Sequence, residues 1–294
     1  MKVRIGVGLG AESAPATFGE IIDRLEAAGI DSVWFSEIVF SAQVEPFVAM
    51  ANALGRTRKL KVGTGIAVLP GRHPVLLAKQ LLSLAGLAPG RVLPAFGLRP
   101  ARPEEWQVFP VPAGRRADVF DESMRLLRLL VTEDNVSFDG EFHQVDGVTV
   151  GPKPVKPLDI WLAGSAPAAF TRIGRYADGW LGSFLNPDEA GRARQAISAA
   201  ATEAGREIED DHYGLSLAVA TNGVPADLLA SARRRRPDAD PNELIASSWA
   251  HAKDLLRRYI DVGLSKFVVR PAGPVASYEQ FLDEFATELL PMQN

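Results

Sequence analysis

What most constrains the fold of this chain is a rhythm. Short β-rich apolar segments alternate with amphipathic helical ones almost from end to end. Such alternation builds parallel sheets, because two parallel neighbours need a crossover long enough to be a helix. Val3–Leu9 reads as a strand and Thr17–Ala28 as a helix, with Ile21, Ile22, Leu25 and Ala28 on one face. Thr17 is the expected N-cap, Glu20 completes a capping box, and Gly29 stops the helix. The next strand–helix pairs are Ser32–Ser36 with Pro46–Leu54, Leu60–Val68 with Val75–Leu84, and Arg91–Phe96 with Ala113–Thr132. The last helix carries Val119, Met124, Leu127 and Leu130 or Val131 in one buried stripe.

The rhythm then breaks at Asn135–Pro157. There, Phe138, Phe142, Val145 and Val148 sit among Asp139-Gly140 and Asp146-Gly147 turn signals, so this stretch reads as a small inserted hairpin. Its Pro152-Lys153-Pro154 tail cannot continue a sheet interior. Four more pairs follow: Leu158–Ala163 with Ala166–Tyr176, Gly179–Phe184 with Pro187–Ala204, Tyr213–Ala220 with Glu243–Val262, and Lys266–Val269 with Tyr278–Leu289. A chain of 294 residues could hold two domains of about 150 residues or one α/β barrel of about 250. Eight units with no separating linker favour an α/β fold of one domain over residues 1–294, a (β/α)8 TIM barrel with a hairpin insertion around 135–157 after the fourth helix. In the Pro-, Asp- and Arg-rich stretch Thr221–Pro241, the run Arg233–Arg236 is either an anion site or a solvated helix end, and the second is favoured because four consecutive residues cannot share a helix face.

Composition removes several chemistries. With no cysteine there is no disulfide framework, thiol nucleophile, iron–sulfur centre or Cys-ligated zinc. The four histidines are scattered without ligand spacing, so no metal site is expected. A net charge of −4 argues against a nucleic-acid surface built on global charge. No apolar run approaches the roughly 18 residues of a membrane span, and Met1-Lys2-Val3-Arg4 leads into a strand, so the expectation is a cytoplasmic protein without a membrane partner. No Gly-x-Ser-x-Gly elbow and no Walker loop occur. Gly6-Val-Gly8-Leu-Gly10-Ala11, with Glu37 after the second strand, satisfies a relaxed dinucleotide fingerprint. The glycines nevertheless precede the helix cap by several residues, which favours a strand end that something approaches closely.

A stronger pattern lies at the C-terminal ends of the expected strands, where barrels place their active sites. There stand Ser36-Glu37, Gly63-Thr-Gly65-Ile66, Phe96-Gly97, Ala163-Gly164-Ser165-Ala166, Gly182-Ser183 and Arg270-Pro271. Glycines clear space for a flat ring, small residues opening a helix at Ser165 expose N–H groups to a phosphate, and Arg270 supplies matching charge. Glu37 is a candidate catalytic acid or an ion-pair partner for an arginine at the barrel mouth. His73 reads as a helix-start residue, and Trp34, Trp161 and Trp180 as packing residues.

Four pieces in order resemble the luciferase-like monooxygenase superfamily of flavin- and deazaflavin-dependent barrels. They are Gly29-Ile-Asp31-Ser-Val-Trp34-Phe-Ser36-Glu37, Gly63-Thr-Gly65-Ile66-Ala-Val-Leu-Pro70-Gly-Arg72-His73-Pro74, Lys153-Pro154 with Pro157-Leu-Asp-Ile-Trp161-Leu-Ala-Gly164, and Ala177-Asp178-Gly179-Trp180. Arg91-Val-Leu-Pro94-Ala-Phe-Gly97 and Lys266-Phe-Val-Val-Arg270-Pro271 look most like the branch that uses coenzyme F420. The resemblance implies a homodimer, and a non-proline cis peptide at Gly65–Ile66 or its neighbour, backing the deazaflavin ring beside Gly97. It also implies a cofactor phosphate against Ala163, Gly164, Ser165 and Ala166, with Gly182 and Ser183 as the next contact. Where relatives commonly carry an Asp-His pair, this chain has Glu37-Ile38, and Arg99-Pro100 stand where some carry an acid. That favours hydride delivery to an activated alkene or imine of a small-molecule substrate, with the proton from solvent or Glu37. FMN in place of F420, a non-catalytic cofactor carrier and an NAD-dependent dehydrogenase are the alternatives.

Overall fold

The computed structural model describes residues 2–10, 15–221, 223–273, 275 and 277–294. In chain order the strands are β1 (Arg4–Leu9), β2 (Ser32–Phe35), β3 (Lys61–Thr64), β4 (Ala67–Val68), β5 (Val92–Leu93), β6 (Ala95–Gly97), β7 (Val136–Asp139), β8 (Gln144–Val148), β9 (Trp161–Ala163), β10 (Gly179–Ser183), β11 (Tyr213–Val219), β12 (Ile245–Ala246) and β13 (Lys266–Pro271). The α-helices are α1 (Pro15–Ala27), α2 (Pro46–Arg56), α3 (Pro74–Leu87), α4 (Arg116–Thr132), α5 (Pro167–Tyr176), α6 (Pro187–Glu203), α7 (Ala226–Arg235), α8 (Trp249–Asp261) and α9 (Tyr278–Leu289).

Parallel pairing runs from β1 to β2, β3 and β5, and from β4 to β6, β9, β10, β11 and β13, which pairs back with β1. Since β3 and β4 are one strand broken at Gly65-Ile66, and β5 and β6 one strand broken at Pro94, the curled sheet returns on itself through eight strand positions. Proline opens α2, α3, α5 and α6, where its missing N–H costs nothing. Side chains of Glu45, His73, Asn186, Ser248 and Ser277 cap α2, α3, α6, α8 and α9. No helix of the described residues is long and apolar enough to cross a membrane.

Inside the barrel Trp34, Ala95, Trp161, Leu181 and Val268 form a floor, with the two indoles edge to face at 6.3 Å. Glycines make room for it. A Cβ on Gly63 would lie 2.6 Å from the Trp34 ring and 2.7 Å from the Leu93 carbonyl, and one on Gly179 2.5 Å from Trp161. Gly6 faces Ser32 and Trp34, and Gly8 faces Arg270 and Val268, so these glycines serve barrel packing, which removes the dinucleotide alternative. Ala11, which completes that pattern, lies outside the described residues.

Below the floor, at the N-terminal ends of the strands, Asp31 gathers Lys61 Nζ at 3.0 Å, Arg4 Nε at 3.7 Å and the fully buried ammonium of Lys266. Burial raises the Asp31 carboxyl, but Lys266 and Lys61 outweigh it and hold the group down to about 2.

Several boundaries differ from the sequence reading. Thr17 lies inside α1, which begins at Pro15, so it is not the N-cap. The helix expected over Glu243–Val262 begins only at Trp249: Ile245 and Ala246 pair with Ala218 and Val219, and the Ser248 hydroxyl accepts the His251 N–H to start α8. The segment 135–157 contains the antiparallel pair β7–β8, but Asp146-Gly147 falls within β8 instead of turning the chain. Glu122 on α4, 4% exposed, accepts N–H bonds from Glu141, Phe142 and His143 and so fastens the hairpin to the barrel wall.

Candidate active site

The C-terminal ends of the strands open into a cavity of about 540 Å³. Its back wall is Gly65 and Ile66, joined by a cis peptide bond, with Ile66 resting on the indole floor. Three hydrogen bonds fix this wall: Gly65 N–H to Phe35 O at 2.7 Å, Glu37 N–H to Ile66 O at 3.1 Å, and Ser36 Oγ to Gly65 O at 3.0 Å. Leu181 and Phe184 add apolar surface from β10 and its following loop.

Glu37 faces the cavity and is 5% exposed. Both of its oxygens are engaged: Oε2 accepts the Val68 N–H at 2.7 Å and Oε1 pairs with Arg72. Burial pushes its carboxyl above the usual range, while Arg72 and the Val68 N–H pull it back. Arg72 is wedged between the Phe47 and Phe109 rings at 5.3 and 5.5 Å and also bonds Val68 O, so the pair ties Glu37 to β4 and the loop that follows it.

Among the described residues the remaining charge on the cavity wall is positive. Arg99, Arg235 and Arg270 line it, and none of them pairs with a carboxylate among the described residues. Arg270 makes one long hydrogen bond, 3.5 Å to Pro271 O. Burial, and then the charge of Arg235, lower its proton affinity. Arg235 belongs to the run read as a solvated helix end. Of its four arginines, Arg236 pairs with Glu189 and Asp238, whereas Arg235 packs on Phe184 at 5.4 Å and reaches the cavity.

Of the residues singled out in the sequence, Glu37, Gly65, Ile66, Ala163, Gly182, Ser183 and Arg270 line the cavity together. Gly97, Gly164, Ser165 and Ala166 do not. Gly97 acts one layer back, because a Cβ there would overlap Ile66 Cδ1 and lie 3.3 Å from Cγ1. Gly164 has φ 146°, and its carbonyl accepts the Trp180 indole N–H at 2.9 Å. Ser165 and Ala166 are exposed where α5 begins, and this helix has no side-chain cap, unlike α2, α3, α6, α8 and α9. His73 is the N-cap of α3, its Nδ1 accepting the Val75 N–H at 3.3 Å. The group Glu209, Asp211 and His212 brings three potential metal ligands together immediately before β11, at the barrel end opposite the cavity.

Sequence reasoning missed Arg235 and the short 3-10 helix Pro103–Val108. The helix places Glu105, whose Oε1 accepts the Phe40 N–H at 3.0 Å, while Arg102 donates to Phe40 O at 3.1 Å. These two bonds fasten the loop after β2 to the loop after β6, and both loops line the cavity.

Comparison with known proteins completes the picture. The uncharacterized protein Rv0940c of Mycobacterium tuberculosis is 34% identical over 174 residues, 59% of this chain, and the chain spans 60% of that relative's length. The F420-dependent glucose-6-phosphate dehydrogenase of Kribbella flavida is 27% identical over 99% of this chain and 98% of its own. Among solved structures, an F420-dependent secondary alcohol dehydrogenase bound to an F420-acetone adduct shares the fold over 100% of both chains, with TM-score 0.83 and 19% identity. So does the FMN complex of a type II Baeyer-Villiger monooxygenase from Pseudomonas putida, over 100% of this chain and 99% of that one, at TM-score 0.78 and 17% identity. A family profile described as luciferase-like monooxygenase matches residues 1–264, and with that match this chain belongs to the luciferase-like monooxygenase family.

Proposed function

We propose that this protein is an F420-dependent oxidoreductase that moves a hydride between the deazaflavin C5 and a small organic substrate, reducing an activated alkene or imine. The observation that carries it is Arg270, a cation in the cavity wall that pairs with no carboxylate among the described residues, in a space also walled by Gly65, Ala163 and Gly182. A half-buried guanidinium whose one hydrogen bond is long is under-satisfied, and a phosphate-bearing ligand would complete it. In this reading Arg270 and the backbone of Ala163, Gly164, Ser165, Ala166, Gly182 and Ser183 hold the phosphate, while Ile66, positioned by Gly97, backs the ring. The F420-dependent relative supports this cofactor, while the FMN complex of like fold fits the alternative.

When bound, the deazaflavin would supply the hydride chemistry itself. The chain's own residues orient it and keep the cavity dry. Ile38 cannot exchange a proton, no histidine lines the cavity among the described residues, and Glu37 is committed to Val68 and Arg72. Reduction of a polarised alkene or imine asks least of such a site, because the proton can come from solvent.

Titrating the protein with F420 and with FMN under matched conditions tests the reading. Micromolar F420 binding followed by oxidation of reduced F420 with a panel of enones is the expected result. Tighter FMN binding would overturn it in favour of a flavin enzyme, and F420 binding without turnover in favour of a carrier. Glu37→Gln should leave the rate-versus-pH profile unchanged and lower stability by about 1–3 kcal/mol through its weakened hold on Arg72. A displaced pH profile would put Glu37 into proton transfer.

A further inference from the structure

Beside the main cavity lies a second cleft of about 280 Å³, and Arg99 lines both. Its other walls are Leu98, Trp106, Pro112 and Arg116. The Arg99 guanidinium lies over the Trp106 ring at 5.0 Å, an arrangement that fixes a cation without neutralising it. Arg116, the first residue of α4, donates from Nη2 to Phe109 O at 2.9 Å, while its Nη1 is buried and has no hydrogen-bond partner. Neither arginine forms an ion pair among the described residues; the nearby acid Asp118 is taken by Arg115, which also holds Glu141. Arg99 and Arg116 are close enough that the charge of one, after burial, lowers the proton affinity of the other.

Arg99 is exposed and Arg116 half-buried, so water screens their mutual repulsion, but the buried Nη1 of Arg116 is left as an unmet donor that an anion would satisfy. The usual protein answer, a carboxylate side chain, does not line this cleft among the described residues. We propose that the Arg99–Arg116 cleft is an oxyanion subsite that receives a carboxylate or phosphate carried by the substrate. Arg99, at the junction, is where such a substrate passes from the cleft into the main cavity. The reactive double bond would then sit over the wall formed by Ile66 while the charged end leaves through the side. An unsaturated acid or phosphate ester is therefore preferred over a neutral enone as the substrate. Arg270 and Arg235, on another part of the wall, remain for the cofactor.

This inference rests on the reductase reading, and two measurements separate them. The first needs no cofactor: calorimetric titration of the full chain with inorganic phosphate and with benzoate. At least one should bind, and Arg116→Gln should weaken it by about ten-fold. Because Arg116→Gln also loses its bond to Phe109, Arg99→Gln provides a second variant with the same expected loss. Phosphate binding without benzoate would identify phosphorylated substrates and the reverse carboxylates. Binding equal in the native protein and both variants, or no binding of either anion, would overturn the subsite. The second measurement compares an α,β-unsaturated carboxylate with its methyl ester as oxidants of reduced F420. The acid should be preferred by about ten-fold in kcat/KM. That preference should vanish in Arg99→Gln while F420 affinity stays unchanged. If F420 binds but acid and ester are used equally, the subsite fails alone. If F420 does not bind, the reductase reading fails and the anion titration still decides the cleft.

Discussion

Asp31→Asn is expected to destabilise this protein by about 3–5 kcal/mol, because it leaves a buried lysine charged and without its counter-ion. Asp31 is the acidic side chain that meets Arg4, Lys61 and Lys266 at the base of the barrel among the described residues, and the Lys266 side chain is only 7% exposed. For a chain of this size that corresponds to a fall in Tm of roughly 10 °C. The double variant Asp31→Asn/Lys266→Met should recover much of the loss, since removing both charges leaves no orphan. The pH dependence follows from the same geometry. The Asp31 carboxyl lies below its ordinary value in the folded protein, at about 2, so its contribution is fully present above about pH 4. It is lost as pH falls through about 2, and the native protein should lose Tm more steeply than Asp31→Asn over that window. A Tm for Asp31→Asn close to that of the native protein at pH 7, measured by calorimetry, would show that the cluster is not a keystone of the base.

Gly97→Ala should leave the barrel folded and spoil the cavity. The added methyl collides with the end of the Ile66 side chain, which is flexible enough to rotate away, and the cavity is the space open to it. Ile66 would then stand where the ring is proposed to lie, weakening F420 by about ten-fold or more for a loss near 1.4 kcal/mol or greater. Thermal stability should change far less than in Asp31→Asn. Unaltered F420 affinity in Gly97→Ala would mean that Ile66 does not back the ring. Because Gly97 lies outside the cavity lining, this effect would travel wholly through its neighbour.

Much of the fold was legible because the strand ends carry small residues with a purpose. Gly63, Gly65, Gly97 and Gly182 stood out as a set, and the set does surround one end of the barrel. What their spacing could not show was which of them face a ligand and which face another side chain. Gly63 clears Trp34, Gly97 clears Ile66, and only Gly65 and Gly182 border the cavity. Arg235 was hidden for a different reason. A run of four arginines carries no phase until the start of α7 is fixed, and that start at Ala226 has no capping side chain to announce it. Once the helix exists, the turn aims one arginine at the cavity and leaves Arg236 beyond its end to meet Glu189. The division of Glu243–Val262 was missed because Ile245 and Ala246 fit a helical stripe as well as a strand. Their pairing with β11 is a tertiary choice. Arg72 was visible in its motif, but only the folded chain brings it to Glu37, 35 positions away.

The indole floor has a consequence for how this scaffold can change. Trp34 and Trp161 separate an end that holds the barrel together from an end that meets ligands, so variation at one end need not be compensated at the other. A library randomised at Ile38, Gln43, Arg99 and Phe184 should therefore yield mostly folded proteins with altered selectivity. The same diversity at Gly6, Gly63 or Gly179, packed against the indoles, would be lost to misfolding before any activity could be assayed.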